Sequence, residues 1–370
     1  MPKVRFVCII IGKHSMPNFR IEERIKMKSK NFSAIYLTAV LVLSAFILLA
    51  CNGSRETDGP EAPVLTATAI PELTPVFTSE PTPTPEPYSH VSVKSDAASA
   101  GTLVLVNWEH EYLYTSDTQT MLLPDVNEGI YLCESNTASL CEITAAALRE
   151  FAAAFTAHTN GDRFYVTGAY RTVEYQTNLY SSYADEHGAD MAAIYVANPG
   201  FSEHHTGYAV DLSSVNASGE RVTIMAHPET VWINEHCCDY GFILRYPVGT
   251  QEITHVAYEP WHFRYIGREN AIAVHTLGFT YEEYIEHIKQ YSVESGMLFV
   301  SDDGNIDVAF YNAESRSFSL QAGEELLHGS IIFYITASAD EFTDIILPLG
   351  ITSYEISGNN DGGFIITAKF

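Results

Sequence analysis

The stretch FSEHHTGYAVDLSS, residues 201–214, places two adjacent histidines, a glycine and an aspartate within one short segment. Its pattern predicts a loop that leads into a strand. Gly207 permits a bend, so a loop histidine and the strand residue Asp211 can converge on one point. Alone the pattern is weak, because this spacing often arises by chance and a polar patch on a surface strand explains it as well. Whether His204 or His205 would bind a metal stays open at this point.

A second segment, YEPWHFRY at residues 258–265, supplies another carboxylate and histidine, Glu259 and His262, three residues apart. Pro260 stiffens the turn between them, and Trp261 offers an apolar wall. A mononuclear zinc hydrolase needs three nitrogen or oxygen ligands, an open position for water and a nearby carboxylate base. The helical H-E-x-x-H signature is absent, so such ligands would come from separate segments. Taken alone, His262 is more typical of an aromatic cluster and Glu259 of a solvated strand.

The third segment is VTGAYRTVEYQ, residues 166–176, which predicts a strand running into a turn and then a helix. Arg171 lies at that turn. An arginine presents a planar fork of N–H donors that matches a carboxylate. The alternative for Arg171 is an ordinary surface salt bridge.

In their order and separation, the three segments resemble the VanY-type D-alanyl-D-alanine carboxypeptidases, zinc peptidases related in fold to the hedgehog-like hydrolases. The resemblance covers roughly residues 101–287 and rests on S-x-H-x-x-G-x-A-x-D combined with EPWH. It implies Zn²⁺ as cofactor, held by His204, Asp211 and His262. It also implies that Glu259 is the catalytic base.

The resemblance further implies that Arg171 holds the terminal carboxylate of the substrate and that Ser202 and Gln176 line the substrate pocket. Two positions depart from the family pattern. His205 stands where family members often have Gln, and His255 stands where Gly is frequent. Both add imidazoles near the metal, and we expect neither to be a ligand.

The implied function is hydrolysis of the C-terminal D-alanine from peptidoglycan stem peptides, by attack of a metal-bound water with Glu259 as general base. One alternative is an L,D-carboxypeptidase acting on the tetrapeptide stem, which shares these motifs. An alternative from another class is a non-catalytic wall-binding protein that retains the fold, against which the intact Glu259 argues.

The N-terminal region has a different character. The apolar run AIYLTAVLVLSAFILLAC, residues 34–51, follows several lysines and is slightly short for a membrane span. It suits a signal peptide, and its ending LLAC resembles the lipobox of bacterial lipoproteins. We therefore expect residues 1–51 to form a lead and lipoprotein-type signal, with Cys51 as a lipid anchor at the outer face of the membrane. A plain signal peptide, giving a secreted protein, or an uncleaved anchor is the alternative.

Three further regions follow along the chain. Residues 52–99 are rich in Pro, Thr, Glu and Ser, and they predict a disordered tether because they cannot bury enough apolar surface to offset their ordering entropy. Residues 100–290 predict an α+β domain in which helices flank a small antiparallel sheet carrying the zinc site. Residues 291–370 show short β-rich runs between turns and predict a separate small all-β domain of unknown role.

Local patterns predict individual elements. TLVLVNW, residues 102–108, predicts a strand, and residues 143–159 predict a helix from their apolar spacing. Cys133 and Cys141 are plausible partners in a disulfide. The adjacent pair at 237–238 is more typical of small buried side chains on a helix.

Composition limits the class of protein. The chain has 370 residues, of which 46% are hydrophobic, so a substantial core can form. Its formal net charge of −26 argues against a nucleic-acid partner, because such binding relies on Lys and Arg contacts to phosphate. The expected partners are a stem peptide and the membrane, and the sequence leaves the oligomeric state open.

Overall fold

The computed structural model describes residues 86–113 and 118–370. The predicted lead and signal, Cys51 included, and most of the predicted tether lie outside the described residues. Within the described part of the chain, no helix has both the length and the apolar character needed to cross a bilayer.

The described part of the chain mixes helices and strands, as the sequence predicted. In chain order the strands are β1 (Tyr88–Lys94), β2 (Met121–Leu122), β3 (Leu132–Cys133), β4 (Ser139–Leu140), β5 (Arg163–Gly168), β6 (Ala209–Val215), β7 (Arg221–Thr223), β8 (Phe242–Leu244), β9 (His262–Tyr265), β10 (Met297–Val300), β11 (Ile306–Asn312), β12 (Ser317–Leu320), β13 (Glu325–Leu326), β14 (Ser330–Thr336), β15 (Phe342–Pro348), β16 (Ser353–Gly358) and β17 (Gly363–Lys369).

The α-helices are α1 (Leu123–Val126), α2 (Glu142–Thr159), α3 (Val173–His187), α4 (Ala189–Tyr195), α5 (Thr230–His236), α6 (Gln251–Thr254), α7 (Arg268–Leu277) and α8 (Tyr281–Ile288). Short 3₁₀ turns occupy Ser95–Ser99, Glu203–Thr206, Ile224–Ala226 and Cys237–Tyr240.

The first sheet has the order β3-β5-β6-β9-β8, and β7 also pairs with β6. Its strands are antiparallel except for the pair β3 and β5. Helix α2 covers this sheet, with Phe151 and Phe155 packed on Phe164 of β5 at ring distances of 4.9 and 4.3 Å. The helix ends where Asn160 adopts a left-handed conformation. The predicted helix at 143–159 is therefore confirmed.

The second sheet lies C-terminal to the first and has the order β13-β12-β11-β10-β14-β17-β16. The region was predicted as a separate domain at 291–370, but it is not separate. Leu298 and Ile332 belong to one hydrophobic cluster with Ile272 of α7 and Tyr284 of α8. Its central strands are apolar on both faces, so each face needs a cover, and α7 and α8 supply one. The described residues accordingly belong to one compact unit.

Two further predictions are corrected. The tether was expected to run to residue 99, but residues 88–94 form β1, which pairs along its whole length with β15. Segment 102–108 was expected to be a strand, but it is irregular although largely buried. Its backbone bonds to other groups instead: Leu103 N–H donates to Ser357 Oγ and Leu105 N–H to the Asn359 carbonyl.

The cysteines of the described region are all free thiols. The disulfide that the spacing of Cys133 and Cys141 suggested is not formed. Cys133 lies on β3, whereas the thiol of Cys141 donates to the Thr206 carbonyl at 3.4 Å. Cys237 and Cys238 are buried small side chains, as predicted.

Candidate active site

Strand register places the central residues of the site. Asp211 on β6 lies opposite His262 on β9 and, across the other edge of β6, opposite Gly168 on β5. A Cβ at Gly168 would overlap the carboxylate of Asp211. The glycine of the TGAYR segment therefore provides the space that the Asp211 side chain occupies.

His204, Asp211 and His262 are buried, and one potential ligand atom from each lies within 4.8 Å of the others. His204 Nε2 is 3.2 Å from Asp211 Oδ2, and His262 Nδ1 is 2.9 Å from Asp211 Oδ1. The other nitrogen of His204, Nδ1, donates to the Ala169 carbonyl at 2.7 Å. That bond fixes the ring orientation and leaves Nε2 as the ligand-competent atom. The structure thus brings together the three residues predicted to bind zinc.

Hydrogen bonding decides which of the two adjacent histidines, His204 and His205, can bind a metal. His205 is fully buried; its Nδ1–H donates to the Arg171 carbonyl at 2.7 Å, and its Nε2 accepts from the Gly200 N–H at 3.1 Å. Both nitrogens are used within the protein, so neither is directed at a metal. His255 lies apart from the group of three and packs on Trp108, with ring centroids 4.2 Å apart.

The local backbone conformation explains how His204 and His205 are positioned. Residues 203–206 form a 3₁₀ turn that ends at Gly207, whose φ of 72° is in the left-handed region that glycine adopts without strain. The chain then enters β6. The predicted loop and strand are therefore present, and the bend at Gly207 brings His204 over Asp211.

Glu259 lies beside the three potential metal ligands His204, Asp211 and His262. Its Oε2 is 3.9 Å from His262 Nδ1, and the Glu259 carbonyl accepts the His262 N–H at 3.2 Å, closing the turn that contains Pro260. Burial raises the pKa of Glu259 above its ordinary value, although the nearby His262 and Arg171 act in the opposite direction. A carboxylate with a raised pKa is suited to accept a proton and then give it up.

A cleft of about 340 Å³ opens above these residues, and the predicted substrate contacts Arg171, Ser202 and Gln176 all line it. Arg171 Nη2 donates to Asp211 Oδ2 at 2.8 Å. Gln176 is almost fully buried; its Nε2 donates to the Ala197 carbonyl, and its Oε1 has no hydrogen-bond partner among the described residues. The side chain of Gln176 thus offers a free acceptor at the cleft.

Arg171 is held by the elements on both sides of it. Thr172 is the N-cap of α3, and its hydroxyl accepts the Tyr175 N–H at 3.1 Å. The Arg171 N–H donates to the His204 carbonyl at 3.1 Å, and its own carbonyl accepts from His205. The arginine turn and the histidine doublet are therefore bonded directly to each other.

The two ligand-competent histidines differ in electrostatics. Burial, helped by the charge of Arg171, lowers the pKa of His204 to about 4. Burial alone would lower the pKa of His262, but its hydrogen bonds to Asp211 and Glu203 outweigh burial and raise that pKa to about 9. Asp211 has a pKa well below its ordinary value, because the two histidines overcome the effect of its burial.

The sequence analysis missed a network of charges behind the site, formed by the buried Glu203, Arg245 and Arg264 and the partly buried Glu282. The signal was the presence of Arg245 and Arg264 in the otherwise apolar segments FILRYP and HFRY. Both arginines and Glu203 have fully buried side chains. Burial alone would raise the pKa of Glu203, but the two arginines hold it well below its ordinary value.

Two imidazoles and a carboxylate converging in a cleft, beside a further carboxylate and an arginine, are typical of metal-dependent peptidases. Comparison with known proteins agrees. The sequence model of the family described as "VanY: D-alanyl-D-alanine carboxypeptidase" matches residues 137–268. The chain belongs to the VanY D-alanyl-D-alanine carboxypeptidase family.

Individual relatives are moderately similar. The chain is 32% identical over 204 residues to a D-alanyl-D-alanine carboxypeptidase of Enterococcus faecium, covering 55% of this chain and 53% of that protein. It is 31% identical over 196 residues to the putative carboxypeptidase YodJ of Bacillus subtilis (strain 168), covering 51% and 68%. The chain therefore spans about half the length of the first of these relatives.

A solved structure resembles a larger part of the chain. It is the vancomycin-resistance D,D-dipeptidase VanXYg in complex with a D-Ala-D-Ala phosphinate analogue, which matches with a TM-score of 0.61 and 26% identity. The match covers 76% of this chain and 99% of that one. The shared fold thus extends beyond the residues of the family match.

Proposed function

We propose that the protein is a zinc-dependent carboxypeptidase that removes the C-terminal D-alanine from peptidoglycan stem peptides. The observation that carries the proposal is the convergence of His204, Asp211 and His262 at the floor of a cleft that also contains Glu259 and Arg171. Membership in the VanY family supports the choice of substrate.

The donor set fits zinc. Two imidazole nitrogens and one carboxylate oxygen are the ligands of catalytic zinc sites that keep a further position open. The cleft gives access to that position, and the remaining nitrogens of both histidines are bonded to Ala169 and Glu203. When bound, the zinc ion would act as a Lewis acid and lower the pKa of a water to about 7.

Glu259 would act as the general base and then as the general acid. Its carboxylate would take a proton from the attacking water at Oε2 and deliver it to the nitrogen of the departing D-alanine. The side chain lies beside His262 and faces the cleft. Its raised pKa suits both halves of this proton transfer.

Arg171 would determine that cleavage occurs at the C-terminus. A guanidinium carries five N–H donors, so the contact to Asp211 through Nη2 leaves donors for the carboxylate of a substrate. A peptide without a free terminal carboxylate would lose this contact. We therefore infer release of a single terminal residue and weak cleavage of internal bonds.

The test is to incubate zinc-loaded protein with pentapeptide and tetrapeptide stems and to weigh the products. Loss of one alanine from the pentapeptide supports the proposal. Loss from the tetrapeptide alone would identify an L,D-carboxypeptidase. No loss from either stem while zinc is bound would leave a non-catalytic wall-binding protein.

We further propose that the protein is exported and anchored by a lipid on Cys51, at the outer face of the cell membrane. The proposal rests on the LLAC ending of the apolar run at residues 34–51. Metabolic labelling with a radioactive fatty acid tests it, with Cys51→Ser as the control. Labelling that survives this substitution, or no labelling of the wild type, would contradict the anchor.

A further inference from the structure

The second ring nitrogen of His262 faces a buried carboxylate. His262 Nε2 lies 3.3 Å from Glu203 Oε2, while Nδ1 of the same ring faces Asp211. Glu203 directly precedes His204 in the chain, and its side chain has no exposed surface. Within the 3₁₀ turn, His204 therefore supplies one potential ligand, and the adjacent Glu203 contacts a second potential ligand, His262.

The two oxygens of Glu203 have different partners. Oε1 accepts from Arg245 Nε at 2.8 Å and from Arg264 Nη1 at 3.1 Å. Oε2 accepts from His262. Because two guanidinium groups hold Oε1, the carboxylate is fixed in place and presents Oε2 to the imidazole.

The arginines are themselves held by separate parts of the fold. Arg245 forms a bidentate pair with Glu282 at the start of α8, with N–O distances of 2.9 and 2.6 Å. Arg264 Nη2 donates to the carbonyls of Thr102 and Val104, both at 2.9 Å. The two arginines thus connect Glu203 to α8 and to the irregular segment after residue 101, as well as to the first sheet.

We propose that Glu203 is a positioning residue for His262: its carboxylate accepts the Nε2–H and so fixes the tautomer whose Nδ1 lone pair faces Asp211 and His204. This inference rests on the proposed function, since it assigns a purpose to the tautomer only if the site holds zinc. Hydrogen-bonded carboxylates of this kind orient a ligand imidazole and increase its basicity.

With zinc bound, the two histidines would be held in opposite tautomers. His204 donates from Nδ1 to a neutral backbone carbonyl, whereas His262 donates from Nε2 to a carboxylate. The ligand-competent atoms are therefore Nε2 of His204 and Nδ1 of His262. This asymmetry follows from the hydrogen-bond partners of the two rings and can be measured in the zinc-loaded wild type.

The first experiment compares Glu203→Gln with Glu282→Gln in the full-length protein. Both changes remove a carboxylate bonded to Arg245, but only Glu203 contacts His262. Zinc affinity is measured by competition with a chelator, and the stability of the metal-free protein is followed by thermal unfolding. We expect affinity to fall about 10- to 100-fold in Glu203→Gln and less than about threefold in Glu282→Gln.

Equal zinc affinity in Glu203→Gln and wild type would overturn the proposal. So would equal weakening in both variants, since the network would then act only through stability. If the wild type itself binds no zinc, the proposed metal site fails, which is distinct from a wild type that binds zinc and is insensitive to Glu203.

The second experiment needs no variant and covers the case in which Glu203→Gln does not fold. Nitrogen-15 spectra of the histidine rings in the zinc-loaded wild type report which nitrogen carries hydrogen. The expected result is a proton on Nε2 of His262 and on Nδ1 of His204. A proton on Nδ1 of His262 would overturn the proposal.

Discussion

Asp211 and His262 lie directly opposite each other on the antiparallel strands β6 and β9, with Oδ1 of the aspartate 2.9 Å from Nδ1 of the histidine. Residues paired in this way point to the same face of a sheet. A slip of one residue in the register would turn one of the two side chains to the other face. The pairing of β6 and β9 therefore brings together two residues that are 51 positions apart in the chain.

The histidine doublet gives the first prediction. His204→Ala removes an imidazole that faces Asp211, so zinc binding should be lost. His205→Ala should retain zinc, because both ring nitrogens of His205 bond to backbone groups. It should instead raise KM, since the Arg171 turn loses a buried support. Metal content after dialysis and steady-state kinetics measure the two effects; loss of zinc in His205→Ala alone would contradict the assignment.

Glu259→Gln should lower kcat by about 10²- to 10⁴-fold, the usual contribution of a positioned general base. Zinc binding should persist, because Glu259 is not one of the three converging residues that could hold a metal ion. Stopped assays of alanine release, together with metal analysis of the same sample, test this prediction. A variant that retains activity would require another base.

Arg171→Ala should raise KM steeply for peptides with a free terminal carboxylate, and Arg171→Lys should restore little, because lysine lacks the planar fork. For amidated peptides, wild type and variant should be equally poor. The comparison uses one stem peptide in its acid and amide forms. If wild type cleaves both forms at the same rate, Arg171 does not bind the carboxylate.

Acid stability should depend on Glu282. Burial would raise the pKa of this carboxyl, but the charge of Arg245 outweighs burial and lowers it. A lowered pKa in the folded state adds stability at pH above the unfolded value of about 4.3, and this stability is lost as pH falls through the folded pKa. Glu282→Gln should therefore be less stable than wild type at pH 7, by on the order of 3 kcal/mol.

The difference between the two proteins should begin to shrink as pH falls below about 4.3, and it should vanish once the pH is below the lowered pKa of the folded Glu282 carboxyl. Thermal unfolding of the metal-free proteins across this range measures it. A difference in stability that stays constant with pH would mean that the charge of Glu282, paired with Arg245, does not contribute to stability.

The sequence by itself located helix α2 and the three site segments. The apolar spacing in residues 143–159 is a local pattern, so it was sufficient to predict α2. The motifs around His204, Asp211 and His262 likewise predicted, without knowledge of the fold, three residues that converge in the structure. The sequence also predicted the bend at Gly207, which ends the 3₁₀ turn that contains His204 and His205.

Only the tertiary structure decided what these elements contact. Strand β1 pairs with β15 about 250 residues later, and residues 102–107 are buried without forming a strand because distant side chains bond to their backbone groups. In the sequence, Glu203 has no evident role between Ser202 and His204. In the structure its carboxylate accepts hydrogen bonds from Arg245 and Arg264. Local patterns encode a residue's own helix or strand, whereas these contacts depend on register and packing between segments far apart in the chain.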